Sequence, residues 1–171
     1  LAYFDIEVHS NNNLIFTFAF IMEHSFNKSL PIVIGSDHAG FAYKERIKDV
    51  LTALGWEFID EGTHSAESTD YPDYAHAVAH KVADGTAAAG ILICGSGNGV
   101  CMTANKHQEV RAALCWNREL AALARQHNNA NILCMPERFV AFETAKEMVT
   151  TFLSTDFEGG RHERRAVKIA L

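Results

Sequence analysis

The chain has 171 residues, 48% hydrophobic and 21% charged, enough length and apolar content for one globular domain with a buried core. A formal net charge of −6 excludes general nucleic-acid binding, because basic side chains concentrate only locally, at Arg161, Arg164, Arg165 and Lys168. Cys94, Cys101, Cys115 and Cys134 form no CxxC pair and no dense framework, which predicts free thiols in a reducing compartment, the cytoplasm.

Residues 1–30 differ from the rest. An asparagine run, Asn11 to Asn13, precedes an apolar run from Leu14 to Met22, whose nine residues are too few to span a bilayer. The first basic side chain is Lys28, so the basic start of an export signal is missing. Residues 1–30 are therefore expected to be an extension and 31–171 the domain, with the natural start near Met22, because domain patterning begins only near Pro31.

From Pro31 the signals alternate. Pro31 to Ser36 is a β-branched strand. Gly40 to Leu54 carries a helical stripe (Tyr43, Ile47, Val50, Leu51, Leu54) ended by Gly55. Trp56 to Asp60 reads as a second strand, and after a polar loop Pro72 opens a helix whose buried face is Ala75, Val78, Ala79 and Val82. Ile91 to Ile93, flanked by glycines, is a strand buried on both faces that ends at Cys94. A helix can begin in the segment Val100 to Asn105. Val110 to Cys115, Asn117 to His127, Asn131 to Met135 and Val140 to Leu153 then read as strand, helix, strand and helix. The expected fold is α/β: a Rossmann-like three-layer α/β/α sandwich around a five-stranded parallel sheet.

Ligands of such sheets bind beyond the carboxyl ends of the strands. That rim holds Ser36-Asp37-His38, Glu61-Gly62-Thr63, Cys94-Gly95-Ser96, Trp116-Asn117 and Pro136-Glu137-Arg138, a set suited to proton transfer on a phosphorylated small molecule. The loop Gly95-Ser96-Gly97-Asn98-Gly99 adds backbone amides for an anion. Familiar glycine-loop functions fail. A dinucleotide fingerprint wants glycine or alanine at Val100 and an acid where Cys115 and Trp116 stand, an ATPase loop wants Gly-Lys-Ser/Thr, and a cysteine phosphatase wants arginine at Val100. No cofactor is expected.

His76 and His80 have the i, i+4 spacing of a zinc-binding pair. They lie beside the buried face with no third ligand at suitable spacing, so no metal site is expected.

The blocks Gly-Ser-Asp-His-Ala-Gly-Phe (35–41), Thr-Asp-Tyr-Pro-Asp-Tyr-Ala (69–75), Cys-Gly-Ser-Gly-Asn-Gly (94–99) with Ala-Asn-Lys (104–106), Arg-Gln-His-Asn (125–128) and Glu-Gly-Gly-Arg-His (158–162) occur in this order. Together they resemble the sugar-phosphate isomerase family typified by ribose-5-phosphate isomerase B, which also includes galactose- and allose-6-phosphate isomerases. The resemblance runs from Pro31 to the C-terminus. It implies a metal-independent aldose–ketose isomerase of the pentose phosphate pathway and a homodimer or dimer of dimers, each active site completed by the neighbouring subunit. No membrane or nucleic-acid partner is implied. Cys94 matches the base that moves a proton between C2 and C1, and its presence, with Val100 where a second branch has glutamate, implies the cysteine-base branch. Ser96, where many members carry threonine, and the amides of Gly95, Gly97, Asn98 and Gly99 match the oxyanion donors, and His127 the ring-opening group. Asp37, Tyr71 and Asn128 match sugar contacts, and His38, Arg138, Arg161 and Arg165 the phosphate ligands.

The residues also carry plainer readings. Cys94 at a strand end fits a small core hydrophobe. His127 continues the stripe Leu120, Leu123 and Ala124 and fits a core histidine. Asp37 and Asn128 fit a turn and a cap, Tyr71 an anchor for the helix start, and the arginines a solvated helix end. Arg164 reads as surface. Hexose 6-phosphates are the alternative substrates, and a non-catalytic sugar-phosphate-binding module is the alternative class.

Overall fold

A computed structural model describes residues 25–170; Leu14 to Met22 and the expected start lie outside the described residues. The sheet has five parallel strands in the order β2-β1-β3-β5-β4: β1 (Ile32–Ser36), β2 (Phe58–Asp60), β3 (Ala89–Cys94), β4 (Ala112–Leu114) and β5 (Ile132–Pro136). The intervening helices are α1 (Phe41–Ala53), α2 (Tyr71–Ala83), α3 (Asn98–Ala104), α4 (Arg118–Asn128) and α5 (Phe142–Ser154). A short α6 (Arg161–Ala166) follows, which the sequence reading met only as a run of arginines.

Alternation along the central strands divides the core into two layers. Ile32, Ile34, Ile91, Ile93, Leu133 and Met135 join Ile47 and Leu51 of α1 and Met148, Val149 and Phe152 of α5. The opposite face sends Val33, Leu92, Ile132 and Cys134 against Val78 of α2 and Val100 of α3. Strands with no solvated face must be apolar throughout, which is why 91–93 shows no polar alternation.

Several boundaries move because turns take the backbone groups. The expected strand 56–60 shortens to β2 because the Trp56 N–H bonds the Leu51 carbonyl at 3.0 Å, closing α1. The strand expected over 110–115 shortens to β4: the Val110 N–H bonds the His107 carbonyl at 3.0 Å and the Arg111 N–H bonds Asn131 Oδ1 at 2.7 Å. α5 starts at Phe142 rather than Val140, whose carbonyl accepts the Tyr43 hydroxyl at 2.8 Å.

Two interior cations had no sequence signal. Lys44 is fully buried, with Nζ 2.5 Å from Asp60 and 2.6 Å from Glu45. Arg125 is 1% exposed and donates to Asn129 Oδ1 (2.7 Å) and the carbonyls of Ala130 (2.6 Å) and Thr155 (3.2 Å), its guanidinium 4.0 Å from the Phe26 ring centroid. Desolvation lowers its pKa to about 10. Arg125 also corrects the expected α4 stripe: the buried residues are Ala121, Ala124 and Arg125, while Leu123 is 42% exposed. Among the described residues no helix is long and apolar enough to cross a membrane.

Candidate active site

β2 and β3 lie on opposite sides of β1, so the chain reverses direction across the sheet between β1 and β3. The loops leaving those two strands part there and open a crevice. A pocket of about 380 Å³ occupies it, lined by Asp37, His38, Ala39, Tyr71, Cys94, Gly95, Ser96, Gly99, Arg138 and Phe139. Its volume lies in the range of small-molecule sites. A larger depression of about 630 Å³, lined by residues including His107, Arg111, Asn128 and Ile169, holds no thiol. Chemistry rather than size marks the smaller one.

Each wall has a local cause. Asp37 follows β1 and is 6% exposed; its Oδ1 accepts the N–H groups of Ala39 (3.0 Å) and Gly40 (3.1 Å), so the turn reading is correct and the same side chain also faces the pocket. Position 40 must be glycine, since a Cβ there would overlap the Ile93 carbonyl oxygen. His38 Nδ1 accepts the Thr69 N–H at 3.2 Å, which leaves Nε2 as the nitrogen available to a ligand. Tyr71, the first residue of α2, lays its ring over Gly99, where a Cβ would come within 2.6 Å.

The cysteine loop supplies the reactive centre. Cys94 ends β3 and is 5% exposed, and its Sγ accepts the Gly97 N–H at 3.1 Å. Gly97 caps α3 at φ +74°, and a Cβ there would strike Leu114. The amide therefore reaches the sulfur only through a glycine. Arg138, in a 3-10 turn after β5, donates its N–H to the Gly95 carbonyl at 3.2 Å, and its guanidinium lies over Gly95. All four cysteines are free. Burial pushes the Cys115 thiol up to about 12 and Cys134 well above the ordinary thiol range, so those two stay protonated within the core. Glu137, beside Arg138, is also raised, first by burial and further by the Asp37 charge.

The expected rim narrows. Glu61 pairs with Lys81 at 3.2 Å, and neither it nor Trp116 lines the pocket. Ala39 and Phe139 do, unmarked in the sequence because nothing distinguishes them from loop residues until β1 and β5 are in place. Ser96 is exposed at the mouth, its Oγ accepting the Asn98 N–H at 3.4 Å.

His127, Asn128, Arg161 and Arg165 do not line the pocket. α4 runs back from the carboxyl edge after β4 toward the amino edge where β5 begins, over eleven residues and roughly 16 Å, so its last turn is at the end of the sheet away from the rim. His127 is 39% exposed, not a core histidine. It stacks on His162, centroids 4.2 Å apart and planes 3° from parallel, with Glu158 4.0 Å from its Nε2. His162 in turn accepts Arg161 Nε at 3.2 Å. His127, Glu158 and His162 bring one ligand atom each within 4.8 Å of one another. The parallel planes oppose metal binding there, because an ion cannot lie in both rings at once. His107, distant in sequence, pairs with His76, its Nε2 2.8 Å from His76 Nδ1.

The family described as Ribose/Galactose Isomerase matches residues 32–169. Ribose-5-phosphate isomerase B of Escherichia coli (strain K12) is 46% identical over 138 residues, covering 81% of this chain and 93% of that protein. The crystal structure of ribose-5-phosphate isomerase B from Mycoplasma genitalium with bound ribulose-5-phosphate superimposes with a TM-score of 0.81 at 46% identity, covering 84% of this chain and 96% of that one. A ribose 5-phosphate isomerase from Thermotoga maritima gives 0.80 at 51% identity, with coverages of 82% and 97%. With a parallel sheet of this order, a cysteine at its switch point and this match along its length, the chain belongs to the ribose/galactose isomerase family.

Proposed function

We propose that this chain interconverts D-ribose 5-phosphate and D-ribulose 5-phosphate, in the non-oxidative branch of pentose phosphate metabolism, as a cysteine-base member of its family. The observation that carries the reading is the Cys94 thiol, held by the Gly97 amide, in a pocket that also offers a carboxylate, an imidazole, a phenol and a guanidinium. The four free thiols fit a cytoplasmic setting.

The residues meet the demands of the reaction in turn. His38 and Arg138 take the phosphate, Arg138 through its planar fork. Asp37 and Tyr71 hold sugar hydroxyls. With the sugar open, Cys94 as thiolate removes the C2 proton; the C–H electron pair becomes the C1–C2 double bond, and the carbonyl oxygen becomes an enediolate oxyanion. Ser96 and the amides of Gly95, Gly97, Asn98 and Gly99 stabilise that charge, each well-placed donor contributing on the order of 100-fold in rate. The O2 hydroxyl proton passes to O1, the abstracted proton returns to C1, and C2–O becomes the carbonyl, which gives the ketose. Carbon C1 is reduced and C2 oxidised within one molecule, so no external oxidant or cofactor enters the balance.

Ring opening needs an acid–base group besides those already engaged with the phosphate, the hydroxyls and the C2 proton, and further phosphate charge needs more cations. A second copy of the chain supplies both: His127 to open the furanose, Asn128 to hold it, and Arg161 and Arg165 to complete the phosphate site. A two-fold dimer then contains two composite sites. Phe139, 74% exposed at the pocket mouth, fits a surface that such a dimer covers. The test is ribulose 5-phosphate formation from ribose 5-phosphate by the purified chain, without added metal or nucleotide, beside Cys94→Ala. Turnover in the parent with none in the variant is expected. Equal turnover removes Cys94 as the base, and a parent active only on allose or galactose 6-phosphate overturns the pentose assignment.

A further inference from the structure

We propose that His162 is a positioning residue for the ring-opening step: its imidazole holds the plane of His127 from one side and receives the phosphate cation Arg161 at its edge. His162 takes this role on the reading that gives ring opening to His127 and the phosphate to Arg161 and Arg165. The chain turns through Gly159 and Gly160, at φ +63° and +56°, and brings α6 against α4. The Glu158 N–H bonds the Gln126 carbonyl at 3.1 Å, and the His162 N–H bonds the Gly159 carbonyl at 3.0 Å, so the turn is tied to both helices. His162 ends up 7% exposed, a buried imidazole to which no step has yet been given.

The rings of His127 and His162 lie 4.2 Å apart, centroid to centroid, and 3° from parallel, so one face of His127 is covered while 39% of its side-chain surface stays open. An imidazole gives and takes protons in its own plane. Furanose opening takes the C1 hydroxyl proton onto the imidazole, breaks the C1–O4 bond as the C1 carbonyl forms, and delivers a proton from the imidazole to O4. Both oxygens must meet the ring edge, and a tilt of the plane misaims both transfers. Between them His127 is an imidazolium, so its stacking partner must be uncharged. The Arg161 Nε–H donates to His162 Nε2 at 3.2 Å, which requires a lone pair there and places the ring hydrogen on Nδ1. Burial, then the charges of His127 and Arg161, hold His162 below the ordinary histidine range, with Glu158 opposing and Arg165 adding to the effect. Glu158 Oε2 lies 3.7 Å from His162 Nε2 and 4.0 Å from His127 Nε2, beyond hydrogen-bond reach, so it offsets the imidazolium without taking its proton.

Kinetics of the full-length chain with ribose 5-phosphate, and imidazole NMR of the same proteins, test the proposal. His162→Ala, shown folded by circular dichroism, should lower kcat about 10- to 100-fold and remove the ring-current shift of the His127 ring protons. His162→Phe keeps a flat ring without the acceptor for Arg161, so most of kcat should return while KM stays raised roughly threefold to tenfold, the worth of one hydrogen bond. In a His127→Gln background, His162→Ala should cost nothing further in kcat, because its effect passes through the missing ring. Parental kcat in His162→Ala, an equal added loss in the His127→Gln background, or a phenylalanine variant that is as slow as the alanine one or has parental KM overturns the role of His162. A parent inert on ribose 5-phosphate overturns the isomerase reading, and the role with it, even where the ring-current shift shows the stack intact.

Discussion

Pairing Cys94→Ala with His127→Gln tests the shared site most directly. Within one chain His127 sits in the last turn of α4, a helix of eleven residues and roughly 16 Å, and does not line the pocket that holds Cys94. In a dimer built from both variants, one site combines the intact Cys94 of one chain with the intact His127 of the other, while the second site carries both lesions. Random reassortment makes half of the dimers hybrid, and half of the sites in each hybrid are whole, so the mixture should recover roughly one quarter of the parental rate. A dimer of dimers sharing sites pairwise gives the same fraction. The assay is ribulose 5-phosphate formation after the variants are unfolded and refolded together, compared with each refolded alone. If His127 served its own chain's pocket, every site in a hybrid would carry one lesion. A hybrid purified through two different tags that is no more active than its parents would therefore refute the composite site.

Three further outcomes follow from the geometry. Gly97→Ala should cost about 2–3 kcal/mol in urea unfolding and lower kcat as well, because a Cβ at φ +74° strikes Leu114 and comes within 3.1 Å of the Met135 carbonyl carbon; an unchanged midpoint would contradict this. Lys44→Met should cost about 3 kcal/mol, the low end for a broken buried pair, because Lys48 remains 3.0 Å from Asp60. Burial of Asp60 raises its pKa, but hydrogen bonds from Lys44, Lys48 and the Gly62 amide outweigh this and hold it below the usual carboxylate range. That stabilisation is present above the unfolded value of about 4 and lost as pH falls through the lower folded value, so urea titrations from neutral to acid pH should show a smaller acid loss in Lys44→Met, where Asp60 has lost its largest lowering partner. Arg138→Ala should raise KM for the sugar phosphate about 10- to 100-fold, the worth of a charge-assisted bond, with a smaller change in kcat; a fall in kcat at constant KM would assign it to the transition state instead.

The layered α/β fold and the pocket around Cys94 were legible in the residues themselves. Short apolar runs bounded by glycine and proline, alternating with 3.6-period stripes, specify parallel strands covered on both faces, and a strand's end is by definition the rim where Cys94, Asp37, His38 and Arg138 emerge. Both signals are local, set by side-chain chemistry within a turn or a strand. What depends on distant segments was misread or missed: Arg125 in a stripe taken for apolar, Lys44 buried on Asp60, and His107 brought beside His76. Periodicity reports which face of a helix is apolar, but not whether an oppositely charged group or a carbonyl waits across the interface to make a cation tolerable inside. The sequence alone determined the layered fold and the chemistry at its rim. Only the tertiary structure decided that His127, Asn128, Arg161 and Arg165 stand away from Cys94, because the direction of α4 relative to the sheet sets which end of the domain each block reaches.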